Sequence, residues 1–148
     1  MPNILNQREI PTLDDLYAYA EKQGILVEEY TLPLCKSVSV AFEDRYSIGI
    51  DPKRHDGTAE ERTHLAHELG HCMTGAFYAP YEPRDLRGRR EYQADRWAVH
   101  TLIPWQNLCK ALKNGITERW ELAEHFCVTE EMIDRAWFIY QTEGKAPV

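Results

Sequence analysis

The segment His67-Glu68-Leu69-Gly70-His71 places two imidazoles one helical turn apart, with a carboxylate between them. At about 100° per residue, His67, His71 and Glu68 share one face of a helix. Two histidines at this spacing can bind one zinc ion through their ring nitrogens. Glu68 would lie beside the open coordination position, where it can accept a proton from water. The segment therefore predicts a metal site with two histidine ligands and Glu68 as general base.

A third ligand has to come from elsewhere, because a catalytic zinc usually takes three protein ligands and a water. Glu91 is the leading candidate, since it lies on the next predicted helix. Asp95, one turn further on, could accept the second ring N–H of a ligand histidine and fix its tautomer. Ala94 and Ala98 flank these acids and would let two helices approach closely. Taken alone, both acids would be solvated, and only the neighbouring motif favours a metal.

The elements that position these residues follow from apolar periodicity and from capping residues, with N-caps predicted at Thr12, Thr58, Thr117 and Thr129. Together they predict an α+β fold, with an N-terminal helix, a small three-stranded antiparallel sheet and a mainly helical body. Residues 1–148 are interpreted as one domain. The predicted helices span 13–23, 58–73, 89–102, 105–112, 118–126 and 130–140, the strands span 25–30, 37–42 and 46–50, and a loop spans 75–88.

Composition limits the partners and the location of the chain. The net charge is -7, which argues against nucleic acid as the main partner. A local run of arginines at Arg84, Arg87, Arg89, Arg90 and Arg96 is interpreted as a solvated loop rather than as a contact for an anionic substrate. The opening residues carry no signal peptide and no stretch could span a membrane, so a cytoplasmic location is expected. Four scattered cysteines predict reduced thiols, mostly in the core.

Residues 116–142 have the rhythm of a helix-turn-helix pair. The helix after Thr129 presents Glu130, Glu131 and Asp134 against Arg135. Phosphate groups would repel such a surface. A structural helix pair, or a surface that docks a protein, is therefore favoured over DNA contact.

Three smaller questions concern the surroundings of the motif. His64 falls on the reactive face and could help to bind substrate, although an exposed histidine is the simpler interpretation. The donor to a transition-state oxyanion stays open among Tyr78, Tyr81 and Tyr92. The short strand Tyr46 to Ile50 could pair with an extended peptide by strand addition.

These motifs resemble those of the ImmA/IrrE metallopeptidases of bacteria and their mobile elements. The resemblance rests on the His67–His71 helix, on Glu91-Tyr92-Gln93-Ala94-Asp95, on the following Trp97-Ala98, and on Leu102-Ile103-Pro104. It covers roughly residues 10 to 140 and is strongest over residues 64 to 104. Trp97 replaces a usual phenylalanine, which affects local packing rather than chemistry.

The resemblance implies a zincin-like body with a gluzincin-like site. His67, His71 and Glu91 would bind zinc, or manganese in its place, with Glu68 activating water and Asp95 supporting a histidine ligand. It also implies a site-specific endopeptidase that cleaves a helix-turn-helix transcriptional repressor in the regulation of a mobile element or prophage. The alternative is a non-catalytic regulatory module that sequesters a repressor, whose structural zinc would need a fourth protein ligand.

Overall fold

A computed structural model describes residues 10–79 and 81–147. Within these ranges, one helix is followed by three strands and then by five further helices, so the predicted α+β architecture is confirmed. The opening residues 1–8, in which no signal peptide is predicted, lie outside the described ranges. The elements are α1 (Leu13–Lys22), β1 (Leu26–Glu29), β2 (Ser37–Phe42), β3 (Arg45–Ile50), α2 (Thr58–Thr74), α3 (Arg84–Leu102), α4 (Trp105–Lys113), α5 (Arg119–Phe126) and α6 (Glu130–Thr142).

The sheet is mixed, so the prediction of a purely antiparallel sheet was wrong. Its strand order is β1-β3-β2, with β2 antiparallel and β1 parallel to β3. The connection between β1 and β2 carries the chain past the carboxyl end of β3 rather than turning back beside β1. Asp51, which follows β3 and is buried, holds this connection through its backbone N–H to the Lys36 oxygen and its carboxylate to the Leu32 N–H.

Burial explains why β3 is central. Ile48 and Ile50 are almost fully buried on the inner face of the sheet, towards the helices. In β2, Ser37 and Ser39 pair with these isoleucines and therefore share their face. The alternate residues of β2 point to the outer face, where Phe42 is 73% exposed. Strand β2 thus presents serines inward and apolar side chains outward.

The motif helix α2 and the following α3 form the centre of the helical body. Helix α3 begins at Arg84, five residues before the predicted start, because Pro83 can occupy its N-cap without leaving an unpaired N–H. All five arginines of the run therefore lie on α3, so its interpretation as a solvated loop was wrong. Helix α2 is capped by Gly57 at a φ of 116° instead of by the predicted Thr58.

The C-terminal helix pair packs into the same core as α2 and α3, through buried residues such as Ile133 and Tyr140 of α6. A buried arginine of α2, Arg62, ties this pair to the chain before α1. Its guanidinium donates to the carbonyl oxygens of Pro11, Phe126 and Cys127. The carbonyls at the end of α5 thereby gain a charged donor.

Two bulk expectations can be compared with the structure. All four cysteines are free thiols, as predicted, but only Cys72 is buried, and Cys35 and Cys127 are exposed. In the described part of the chain, every helix is too short or too polar to cross a lipid bilayer.

Candidate metal centre

Helices α2 and α3 bring the three predicted ligand side chains together. The Nε2 atoms of His67 and His71 lie 3.2 Å apart. One carboxylate oxygen of Glu91 lies 2.9 Å from the Nε2 of His67, and the other lies 3.2 Å from the Nε2 of His71. Among the described residues, these three side chains are the one group of His, Cys, Asp and Glu placed to hold a metal ion.

Both imidazoles are oriented through their second nitrogen. The Nδ1 of His67 lies 2.7 Å from a carboxylate oxygen of Asp95, and the Nδ1 of His71 lies 2.5 Å from the backbone oxygen of Ala76. An acceptor at Nδ1 favours the tautomer with its proton there, which leaves a lone pair on Nε2. Asp95 thus lies where the sequence predicted it, and Ala76 supplies the equivalent contact for the other ring.

The donor set fits zinc in geometry and in charge. Bond lengths of about 2.0–2.1 Å around a tetrahedral ion put neighbouring ligand atoms about 3.3 Å apart. This is close to the 3.2 Å between the two Nε2 atoms and to the 2.9 Å and 3.2 Å from each Nε2 to its own oxygen of Glu91. Burial opposes a charge on either His67 or Glu91. Their mutual contacts, with Asp95 beside His67, nevertheless raise the pKa of His67 and lower the pKa of Glu91. The Glu91 carboxylate therefore favours a cation at this position.

A glycine of the motif allows α3 to approach α2. A Cβ at Gly70 would lie 2.4 Å from the backbone oxygen of Ala94 and 3.0 Å from its Cα. Ala94 is itself fully buried and lies three residues after Glu91. Closely spaced backbones bring the Glu91 carboxylate within reach of both histidines. The predicted role of Ala94 in close helix packing is confirmed, and Gly70 is its partner.

Glu68 lies beside the ligands but is directed towards the sheet. Its carboxylate accepts hydrogen bonds from Ser37 Oγ at 2.7 Å and from Ser39 Oγ at 2.8 Å, one at each oxygen. The side chain is 7% exposed. Neither serine was predicted to belong to the site. The signal was present in the alternation of Ser37 and Ser39 with valines, but the sequence did not show which face of the strand meets α2.

A cleft of about 400 Å³ opens onto these groups. It is lined by the ligands and Glu68, by Ser37, Val38 and Ser39 of β2, and by Cys35, Phe77 and Tyr78. The hydroxyl of Tyr78 donates to Glu91 Oε1 at 2.8 Å. Tyr81 is 90% exposed, and Tyr92 packs against the ring of Phe138. Of the three candidate tyrosines, Tyr78 is the one that lines the cleft.

Two other predicted candidates lie apart from the ligand group. His64 is half-buried rather than exposed, and its Nδ1 lies 2.9 Å from the Nε2 of His55. Burial, reinforced by His55, lowers the pKa of His64. Of the five arginines, Arg96 pairs with Glu143. In residues 10–79 and 81–147, the other four have no acidic group within 4.0 Å.

Comparison with known proteins identifies the family. Residues 20–138 match the family Peptidase_M78, described as the IrrE N-terminal-like domain. No curated protein and no solved structure matches the chain significantly. The family match covers most of the chain and supports a metallopeptidase-type function. The chain therefore belongs to the Peptidase_M78 family of IrrE N-terminal-like domains, and the resemblance to the ImmA/IrrE proteins is confirmed.

Proposed function

We propose that this protein is a zinc-dependent endopeptidase, with manganese as an alternative metal. The observation that carries the proposal is one cleft containing three convergent ligand atoms and a separate carboxylate. His67, His71 and Glu91 would hold the ion, and Asp95 would fix the tautomer of His67. A metal site that serves only folding has no need for an unliganded glutamate such as Glu68 at its edge.

The chemistry of hydrolysis divides between the ion and the protein. When bound, zinc would act as a Lewis acid that lowers the pKa of a coordinated water to about 7. Glu68 would accept a proton from the attacking water as the water oxygen bonds to the peptide carbonyl carbon. It would then return that proton to the amine nitrogen as the carbon–nitrogen bond breaks.

Tyr78 is the proposed donor to the developing oxyanion. Its hydroxyl already reaches the edge of the ligand group and is 38% exposed at residue level, so it is open to the cleft. A donor to an oxyanion in such a site is commonly worth about 10²–10³ in rate. In this proposal, the Tyr78 hydroxyl exchanges its contact with Glu91 for one with the substrate oxygen.

The sheet edge beside the cleft offers a binding surface for an extended peptide. The strand suggested by the sequence, β3, is paired on both sides and cannot accept a peptide. Strand β2 is an edge strand in the described part of the chain and lines the cleft. Alternate residues of such an edge turn N–H and C=O groups outward. We therefore assign strand addition to β2.

The proposed substrate is a cytoplasmic protein, and family resemblance suggests a helix-turn-helix transcriptional repressor. The acidic α6 supports the expectation that a protein, and not nucleic acid, is the partner. This helix contains three acidic residues, Glu130, Glu131 and Asp134, with a fourth, Glu143, at its C-cap, and a single base, Arg135. A repressor encoded next to this protein would be the first substrate to test.

The test separates metal binding from catalysis. Purified protein is loaded with zinc or manganese and mixed with the neighbouring repressor, and cleavage is followed by mass spectrometry. Glu68→Gln is expected to retain stoichiometric zinc and to lose cleavage by at least about 10²-fold. Glu124→Gln, the same change at an exposed position of α5, is expected to cleave normally. Cleavage by Glu68→Gln at the wild-type rate would rule out Glu68 as the base.

The non-catalytic alternative requires a closed metal site. Across the described residues, no fourth His, Cys, Asp or Glu joins the ligand group, which supports an open position and an enzyme. A binding module would bind the repressor tightly in the same experiment and leave it uncut with either metal.

A further inference from the structure

The two serines of β2 donate hydrogen bonds to both carboxylate oxygens of Glu68. Ser37 and Ser39 are two residues apart and therefore project from the same face of the strand. Their hydroxyls reach across to α2 and donate at 2.7 Å and 2.8 Å. A two-point contact of this kind fixes the direction of a carboxylate as well as its position.

This contact matters because Glu68 is buried without a charged partner. In the described chain, no lysine or arginine lies within 4.0 Å of its carboxylate, so the serines supply its side-chain hydrogen bonds. A buried carboxylate needs such donors to offset its lost hydration. Each carboxylate oxygen also has a second acceptor site. The serines therefore hold Glu68 and still leave room for a proton from water.

The chemical step is faster when the orientation of the base is fixed before the reaction. A free glutamate side chain samples several rotamers, and ordering it costs conformational entropy. When the folded protein has already ordered the side chain, this cost is not added to the barrier of the chemical step. Misplacement of a reacting group by about 1 Å can lower the rate about 10²-fold.

We propose that Ser37 and Ser39 are positioning residues that hold Glu68 in its working orientation. The inference rests on the proposed function, in which Glu68 is the base and β2 receives the peptide. The same short strand then contacts the substrate through its backbone edge and the base through its side chains.

A purely structural role does not explain the serines, because β2 is already held in the sheet. All six of its residues pair with β3 over the register Ser37↔Ile50 to Phe42↔Arg45. Alanine at either serine is therefore expected to leave the strand in place and to release only the carboxylate. Ser47 of β3 offers a matched control, since it pairs with Val40 on the outer face and is exposed to solvent.

The kinetic test compares Ser37→Ala, Ser39→Ala, the double variant and Ser47→Ala with the wild type. The substrate is a peptide that wild-type enzyme cleaves, selected from a proteome-derived peptide library. The double alanine variant is expected to lose about 10–100-fold in kcat with little change in KM or zinc content. Ser37→Thr and Ser39→Thr keep a hydroxyl and should retain kcat within about threefold, while Ser47→Ala should match the wild type.

A structural readout decides the inference without reference to activity. In crystals of the zinc-loaded wild type and of Ser47→Ala, Glu68 should occupy one rotamer facing β2. In the double alanine variant it should take another rotamer or several. Glu68 unmoved in the double variant would overturn the inference, as would an unchanged kcat. If the wild type cleaves neither the library nor the repressor, the proposed function fails, and the rotamer of Glu68 still decides whether the serines position it.

Discussion

Replacing Gly70 with alanine is expected to push α3 away from α2 and to weaken the metal site. The added Cβ would lie 2.4 Å from the Ala94 backbone oxygen, whereas non-bonded atoms normally pack at about 3.5 Å from a carbon atom. The Ala94 oxygen is part of the α3 backbone and the new Cβ is bonded directly to the α2 backbone, so no side-chain rotation can relieve the contact. Helix α3 would have to retreat by about 1 Å at this point.

A retreat of this size exceeds what a metal site tolerates. Ligand distances can vary by about 0.2 Å, and Glu91 lies one turn from Ala94 on the moving helix. Changes that only disturb the support of a ligand lower metal affinity about 10–100-fold, so we expect the upper end of that range. A 100-fold loss removes about 2.7 kcal/mol of zinc-linked stabilisation at saturating metal. Overpacking should also cost the metal-free protein about 1–3 kcal/mol.

Urea unfolding at a fixed, buffered zinc concentration and in excess chelator measures both effects. Gly88→Ala is the matched control, because it introduces the same methyl group in α3 where nothing lies within 4 Å. This variant should keep the full zinc-linked increment and gain up to about 1 kcal/mol from helix propensity. If Gly70→Ala retains the wild-type stability and the wild-type zinc increment, close packing at Ala94 does not position Glu91, and the reasoning is wrong.

Three further predictions concern other parts of the molecule. Asp95→Ala should weaken zinc binding about 10–100-fold, because the ring of His67 loses the acceptor for its Nδ1–H; competition with a chromogenic chelator measures the loss, and unchanged affinity would contradict the assignment. Arg62→Leu should lower the free energy of unfolding by about 2–4 kcal/mol, since buried carbonyls lose a charged donor. Urea titration measures this loss, and a smaller loss would contradict the prediction. Burial, with a contribution from Glu68, raises the pKa of Cys72 to about 12, so its thiol stays protonated at pH 8. Iodoacetamide should therefore modify the exposed Cys35 before it modifies Cys72. Peptide mapping of the folded protein checks this order, and equal labelling of the two cysteines would contradict it.

Local sequence carried enough information for the helices and for the ligand group. The spacing of His67 and His71, and of Glu91 and Asp95, fixes side chains on one face of a helix because the turn of a helix is constant. The alanine-lined face of α3 then suggested that the two helices approach closely. Two of the four predicted N-caps are confirmed, since Thr12 and Thr129 accept hydrogen bonds from the first turns of their helices. The other two predictions were wrong by one residue, because Gly57 and Glu118 occupy those positions.

Strand pairing depends on distant contacts, and here the sequence was insufficient. Nothing in the sequence of the short β1 indicates whether it pairs with β2 or with β3, because either strand could form hydrogen bonds with the same four residues. The deciding contacts come from Asp51, outside the strands. The serines of β2 were overlooked for a related reason, since an alternating strand shows two faces without showing which of them meets the helix that carries Glu68.

The ion pair between Arg135 of α6 and Asp95 has a practical meaning for protein engineering. Its guanidinium donates to one Asp95 oxygen at 2.9 Å, while the other oxygen receives the Nδ1–H of His67. A designer who trims the chain before α6, or exchanges the last helix for that of a relative, would remove the partner of the carboxylate that orients His67, a proposed metal ligand. The boundary at residue 116 suggested by sequence is therefore a poor place to cut, and chimeras should transfer α3 and α6 together.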